Sequence, residues 1–106
     1  MRDHVKGGAL TEVTFFILLA LYEPRHGYAM MQFIEEQTDG RLALGAGTLY
    51  GAIETLCKKG WIKLYNDFDA RKKEYLITPQ GKEIAEQELC RMEQVLNVAN
   101  KIVRGI

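Results

Sequence analysis

The sequence predicts a mainly α-helical domain carrying one small β-hairpin. Three observations point there. Apolar residues recur at helical spacing through residues 11–38 and again through 46–59. The period drops to two between Trp61 and Ile77, and a heptad pattern then runs from Ala85 to Ile106. With 106 residues and 47% apolar content, one domain with its own core is expected.

Residues 1–10 hold Arg2, Asp3, His4, Lys6 and the pair Gly7-Gly8, so they read as a flexible arm. The first helix is expected from Thr11, a good N-cap, to Tyr22. Its V-T-F-F-I-L-L-A-L-Y is apolar nearly all round and must be covered on most sides, which in so small a domain points to a second subunit. Pro24 ends it, and a second helix is expected from about His26 to Thr38, stopped by Asp39-Gly40.

A short connection, Arg41 to Gly45, leads to a helix over residues 46–59. On a helical wheel Leu49, Tyr50, Ala52, Ile53, Leu56 and Cys57 gather on one face. Thr48, Gly51, Glu54, Thr55, Lys58 and Lys59 occupy the other, which is small and smooth near its leading end. Gly60 suits the C′ position, where a left-handed conformation costs little. In W-I-K-L-Y-N, Ile62 and Leu64 share one face and Trp61, Lys63 and Tyr65 the other. The return strand R-K-K-E-Y-L-I-T puts Lys73, Tyr75 and Ile77 together, and Arg71, Lys72 and Lys73 make the hairpin basic. Thr78-Pro79 supplies an N-cap and an N1 proline for the last helix, expected to run to about Arg104. Ala85, Leu89, Met92, Leu96, Ala99, Val103 and Ile106 form its a/d seam. Such a helix is ~38 Å long at 1.5 Å per residue, longer than a small domain needs. Part of its stripe, with Leu89, Met92, Leu96, Ala99 and Val103, is therefore expected to pack on a second copy.

Charge and chemistry narrow the function. The formal net charge is zero, yet residues 41–73 carry seven Lys or Arg against three acids, a basic middle inside an acidic remainder. A local anionic partner suits that arrangement. The two histidines, His4 and His26, have no nucleophile beside them, and the chain has no serine, so an enzyme is not expected. Cys57 and Cys90 lack metal-ligand spacing and read as small buried apolar residues, so neither metal nor cofactor is expected. The apolar run Val13–Tyr22 is too short to cross a bilayer and lacks a cleavage site, which leaves no membrane partner and a cytoplasmic location.

A helix pair followed by a basic hairpin is a winged helix-turn-helix. Residues 1–10 are then the arm, 11–78 the DNA-binding domain and 79–106 a dimerisation helix. Gly47, Thr48 and Gly51 let the third helix approach phosphate closely, Thr48 and Tyr50 offer hydroxyls, and Arg71, Lys72 and Lys73 suit flanking phosphates.

The chain resembles the PadR family of bacterial winged-helix transcriptional regulators. The resemblance rests on H-G-Y at 26–28, G-T-L-Y at 47–50, the L-x-x-x-G-x-I spacing from Leu56 to Ile62, and K-x-Y-L-I-T-P-Q-G from Lys73 to Gly81. It covers nearly everything from Leu10 to about Val103, and the single C-terminal helix is similar to the family's compact branch. It implies a homodimeric repressor on a pseudo-palindromic operator in double-stranded DNA, with Gly47, Thr48 and Tyr50 as the contact motif and Lys73 as the wing's basic contact. Gly51 stands where the family often has proline, and Glu74 where it often has tyrosine. Many relatives respond to phenolic or other aromatic small molecules. Such an effector would place Phe15, Phe16, Met92 and Leu96 beside a central cavity; a closed dimer core is the ordinary use of such side chains. The alternative function is a ligand-sequestering or protein-interaction module that keeps the fold without specific DNA binding.

Overall fold

Helix α1 (Glu12–Ala20) is the element on which the others converge, with Ile17 and Leu18 fully buried. The computed structural model describes residues 8–67, 69 and 72–106. Thr11 caps α1, its Oγ1 accepting the Thr14 N–H at 3.1 Å. The helix stops two residues short of the expected Tyr22. Carbonyls at its C-terminal end are taken by partners outside it: that of Ala20 accepts from the Arg25 guanidinium, and that of the C-cap Leu21 from the Ile77 N–H at 2.8 Å. Tyr22 consequently leaves the core and is exposed. Most of the cover that this apolar helix needs comes from α2 (Gly27–Gln37) and α4 (Pro79–Ala99) of the same chain.

The expected arm is not free over its last residues. Leu10 is buried, and its N–H donates to Glu88 Oε1 at 3.3 Å. Glu88 lies in α4, itself buried, and accepts from Arg91 Nε at 2.9 Å and Nη2 at 2.6 Å. A buried carboxylate is tolerable only when paired and hydrogen-bonded in this way. Residues 1–7 of the arm lie outside the described residues.

The sheet has three strands rather than the two of a hairpin. Strand β1 (Arg25–His26) pairs antiparallel with β3 (Glu74–Ile77), which pairs with β2 (Ile62–Asn66), in the order β1-β3-β2. Two residues are too few to leave an alternating pattern, so β1 was invisible in the sequence. His26 also caps α2, its Nδ1 accepting the Ala29 N–H at 3.3 Å, which starts that helix at Gly27. The turn after α2 passes through positive φ at Asp39 (50°) and Gly40 (81°).

Helix α3 (Ala46–Lys59) ends as expected: Gly60 has φ 77°, and the Trp61 N–H reaches back to the Leu56 carbonyl at 3.1 Å. Its docked stripe is narrower than the wheel suggests. Leu49, Ile53 and Leu56 are buried, whereas Tyr50 and Cys57 at the rims are exposed. Cys90, on the outer side of α4, is exposed too, so neither cysteine is the buried apolar residue expected. In the sheet, Ile62 faces Ile77 and Leu64 faces Tyr75, so the residues grouped by alternation in one strand meet those grouped in the other. The register shifts between Leu64 and Asn66. Trp61, which the alternation grouped with Lys63 and Tyr65, is buried while those two are exposed, because it belongs to the turn that closes α3, where strand alternation does not apply.

Thr78 joins the sheet to α4. Its Oγ1 accepts the Gly81 N–H at 3.0 Å, and its hydroxyl donates to the Gly60 carbonyl at 2.6 Å. Gly81 has no room for a side chain, since a Cβ there would lie 2.1 Å from the Trp61 carbonyl oxygen. Ile84 and Ala85 carry the first half of α4 into the core. From Met92 to Ile106 no residue is buried, and the molecule is 53 Å along its longest axis. The expected regular helix to Arg104 is replaced at Asn100–Arg104 by a π-helical turn. A wider turn rotates Ile102 and Val103 off the strict heptad track.

Candidate nucleic-acid interface

Helix α3 presents its leading turns to solvent. Gly45, its N-cap, offers no side-chain acceptor, so the first amides of the helix remain available to an outside partner. Gly47, Thr48, Tyr50 and Gly51 are all exposed on these turns, so the structure brings the helical part of the expected site together. A Cβ added at Gly47 or Gly51 would meet nothing within 4 Å. Neither glycine is required by contacts within the chain. Their smallness lowers the outer surface of α3, and between this surface and the start of α1 lies a cleft of about 390 Å³. Thr11 and Thr14 line it from α1, and Gly47, Thr48, Gly51 and Thr55 from α3. The contribution of α1 was not foreseen from the sequence, since only the fold sets its N-terminal end beside α3.

Farther along α3, Lys58 faces Glu54 at 3.8 Å, both exposed, and Lys59 Nζ lies 4.7 Å from the centroid of the Trp61 ring. An exposed i,i+4 pair contributes little stability in water. Tyr50 is exposed to 49%, yet its hydroxyl rests against Gly27 at the start of α2. Tyr75, on β3, has its hydroxyl pKa raised, first by burial and then by the nearness of Cys57 and Tyr50. Partial burial likewise pushes the Cys57 thiol up, which disfavours the reactive thiolate.

The wing is held at its base by a side-chain bond across the strands, Asn66 Nδ2 donating to Glu74 Oε1. This gives Glu74 a structural role where the resembling family often has tyrosine. Lys63, Lys72 and Lys73 are exposed on the wing, and Arg71 lies outside the described residues. The four residues expected around an effector occupy different environments. Phe15 and Phe16 are half-buried and pack on the core, while Met92 and Leu96 are exposed on α4. Leu89 and Val103 are exposed as well, and Ala99 is half-buried. Among the described residues no group of three or more His, Cys, Asp or Glu side chains is placed to hold a metal. None of their helices is long and apolar enough to cross a membrane.

Two helices joined by a turn, followed by a winged antiparallel sheet, define the winged helix-turn-helix class. The chain belongs to the transcriptional regulator PadR-like family, whose model matches residues 17–87. It is therefore a transcription regulator and not an enzyme. Among solved structures it is similar to a transcriptional regulator from Clostridium thermocellum, at 35% identity and TM-score 0.76 over 86% of this chain and 89% of that one. A PadR family transcription regulator from Clostridium difficile matches at 24% identity and TM-score 0.71, over 86% and 97% of the two chains. Bacillus subtilis PadR, solved in complex with operator DNA, shares the fold at 20% identity and TM-score 0.63, over 74% of this chain and 47% of that one. No curated protein sequence matches the chain.

Proposed function

We propose that the chain is a homodimeric repressor that binds a pseudo-palindromic operator in double-stranded DNA. Helix α3 enters the major groove with Gly47, Thr48, Tyr50 and Gly51 at its leading end. Arg71, Lys72 and Lys73 of the wing contact flanking phosphates, which fix register without reading sequence. The observation that carries this reading is the outer face of α3, kept low by two glycines that no contact within the chain requires. The operator complex of Bacillus subtilis PadR supports it by kinship.

Dimerisation rests on α4. Leu89, Met92 and Leu96 expose apolar side chains along α4 and Val103 exposes its own in the π-helical turn beyond, an arrangement that a second copy of the chain would cover. Release by an aromatic effector would act at Phe15, Phe16, Met92 and Leu96 in the centre of that dimer.

The direct test is titration of the DNA upstream of the chain's own gene, with and without phenolic compounds. Tyr50→Ala and Lys73→Ala should each weaken binding. Lys73→Ala should also flatten the log–log salt dependence by about 1.8, since the homodimer loses one phosphate contact from each subunit at about 0.9 apiece. Retention of full affinity by both variants would sink the site assignment. An interaction module without DNA binding would show no saturable complex with that DNA at all.

A further inference from the structure

The phenol of Tyr50 lies against the start of α2, although half of its surface meets solvent. A Cβ built on Gly27 would lie 2.3 Å from the Tyr50 hydroxyl oxygen, 2.7 Å from Cζ and 3.1 Å from Cε1. A real Cβ essentially never comes within 3.0 Å of such atoms, so the ring occupies the space that a side chain at position 27 would fill.

Backbone conformation does not explain the glycine. Gly27 is the first residue of α2 and is absent from the positive-φ residues, among them Gly40, Gly60 and Gly105. Alanine would suit this helical position better on propensity alone. An alanine methyl would meet a side chain from α3, the Tyr50 ring, whose far end would have to move aside. The H-G-Y and G-T-L-Y segments, 23 positions apart in the sequence from Gly27 to Tyr50, meet at this point.

We propose that Gly27 is a positioning residue for DNA binding. By lacking a side chain it leaves the slot that holds the Tyr50 hydroxyl at the edge of α3, in the rotamer that meets the DNA backbone. A side chain already held in its bound rotamer does not lose that freedom on binding. This role rests on the proposed interface, and the test separates the two.

The experiment is a double-mutant cycle on the upstream DNA fragment, read at a temperature where all four proteins are folded. Tyr50→Ala should weaken binding by about tenfold, and Gly27→Ala by a comparable factor, because the added methyl displaces the ring. The double variant Gly27→Ala/Tyr50→Ala should bind no more weakly than Tyr50→Ala alone. A purely structural role would lower the melting temperature of Gly27→Ala and leave the affinity of the folded protein unchanged, which would overturn the proposal. Equal losses from Gly27→Ala in both backgrounds would overturn it too. If Gly27→Ala does not fold, the double variant must regain the melting temperature of Tyr50→Ala, and failure to do so counts against the slot. Full affinity in Tyr50→Ala would remove the interface reading itself, and the positioning role with it.

Discussion

Helices α3 and α4 both dock one face and expose the other, yet they are built from opposite materials. The exposed face of α3 begins with Ala46, Gly47, Thr48 and Gly51, whereas that of α4 holds Leu89, Met92, Val95, Leu96 and Val98. Small residues bring a helix backbone close to whatever approaches and leave little apolar surface in water. Large apolar residues do the reverse, and at roughly 25 cal/mol per Å² their exposure favours any partner that covers them. Their glycines differ in the same sense. Gly81 at the start of α4 is crowded by the Trp61 carbonyl, while Gly47 and Gly51 in α3 face open space. One glycine serves the interior of the molecule, and the other two serve its exterior.

Four substitutions would break or sharpen this contrast. The largest effect is expected from Gly81→Ala, whose methyl must displace backbone rather than a flexible side chain. A loss of about 3 kcal/mol is expected, read as a lowered denaturant midpoint. A wild-type midpoint would show that the junction of sheet and α4 yields more easily than its geometry implies. Next, Leu96→Asp should convert the proposed dimer to monomer in sedimentation while thermal unfolding of the domain changes little, because Leu96 is 58% exposed within one chain. An unchanged mass would mean that the apolar face of α4 is not the dimer contact.

Gly51→Ala should act in opposite directions on two readouts. Removing an exposed glycine from a helix interior should stabilise the fold by about 1 kcal/mol. The same methyl on the outer face of α3 should weaken operator binding. Gain of stability with undiminished affinity would show that the low surface of α3 does not face DNA.

The smallest effect concerns the exposed pair that ties α1 to the turn after α2. Arg41 Nη1 donates to Glu12 Oε1 at 2.9 Å and Nη2 to Oε2 at 2.5 Å. The hydrogen bond from Arg41 holds the Glu12 carboxyl below its usual range. A depressed carboxylate pKa gives stability that is present above the unfolded value and is lost as pH falls through the folded one. Glu12→Gln should therefore melt slightly below the wild type at neutral pH, and the difference should close below the ordinary carboxylate range. A constant gap at all pH values would exclude titration of Glu12 as its cause.

Much of this molecule was legible from local chemistry. Thr11 and Thr78 as caps, Pro79 at N1 and Gly60 in a left-handed conformation all follow from interactions within a few residues, which no distant packing had to decide. That Ile62 and Leu64 share one face of their strand, and Tyr75 and Ile77 one face of theirs, followed from the pleat, whose period is two; the register that pairs them did not. The small leading face of α3, with Gly47, Thr48 and Gly51, was readable in the same way, because helical periodicity alone puts those positions on one side.

Tertiary structure decided what periodicity cannot encode. A two-residue strand has no period, so β1 exists only because β3 offers it partners. A wheel ranks residues by angle, but the width of the docked stripe depends on what lies opposite. Cys57 and Tyr50 therefore sit outside a core that the wheel assigned them to. Trp61 is buried because the closing turn of α3, not the strand, sets its direction. The burial of Glu88 needed Leu10 and Arg91, the first of them 78 positions away in sequence. Gly27 carries the same lesson. The space beside it is filled by the ring of Tyr50, a neighbour that only folding could bring to it.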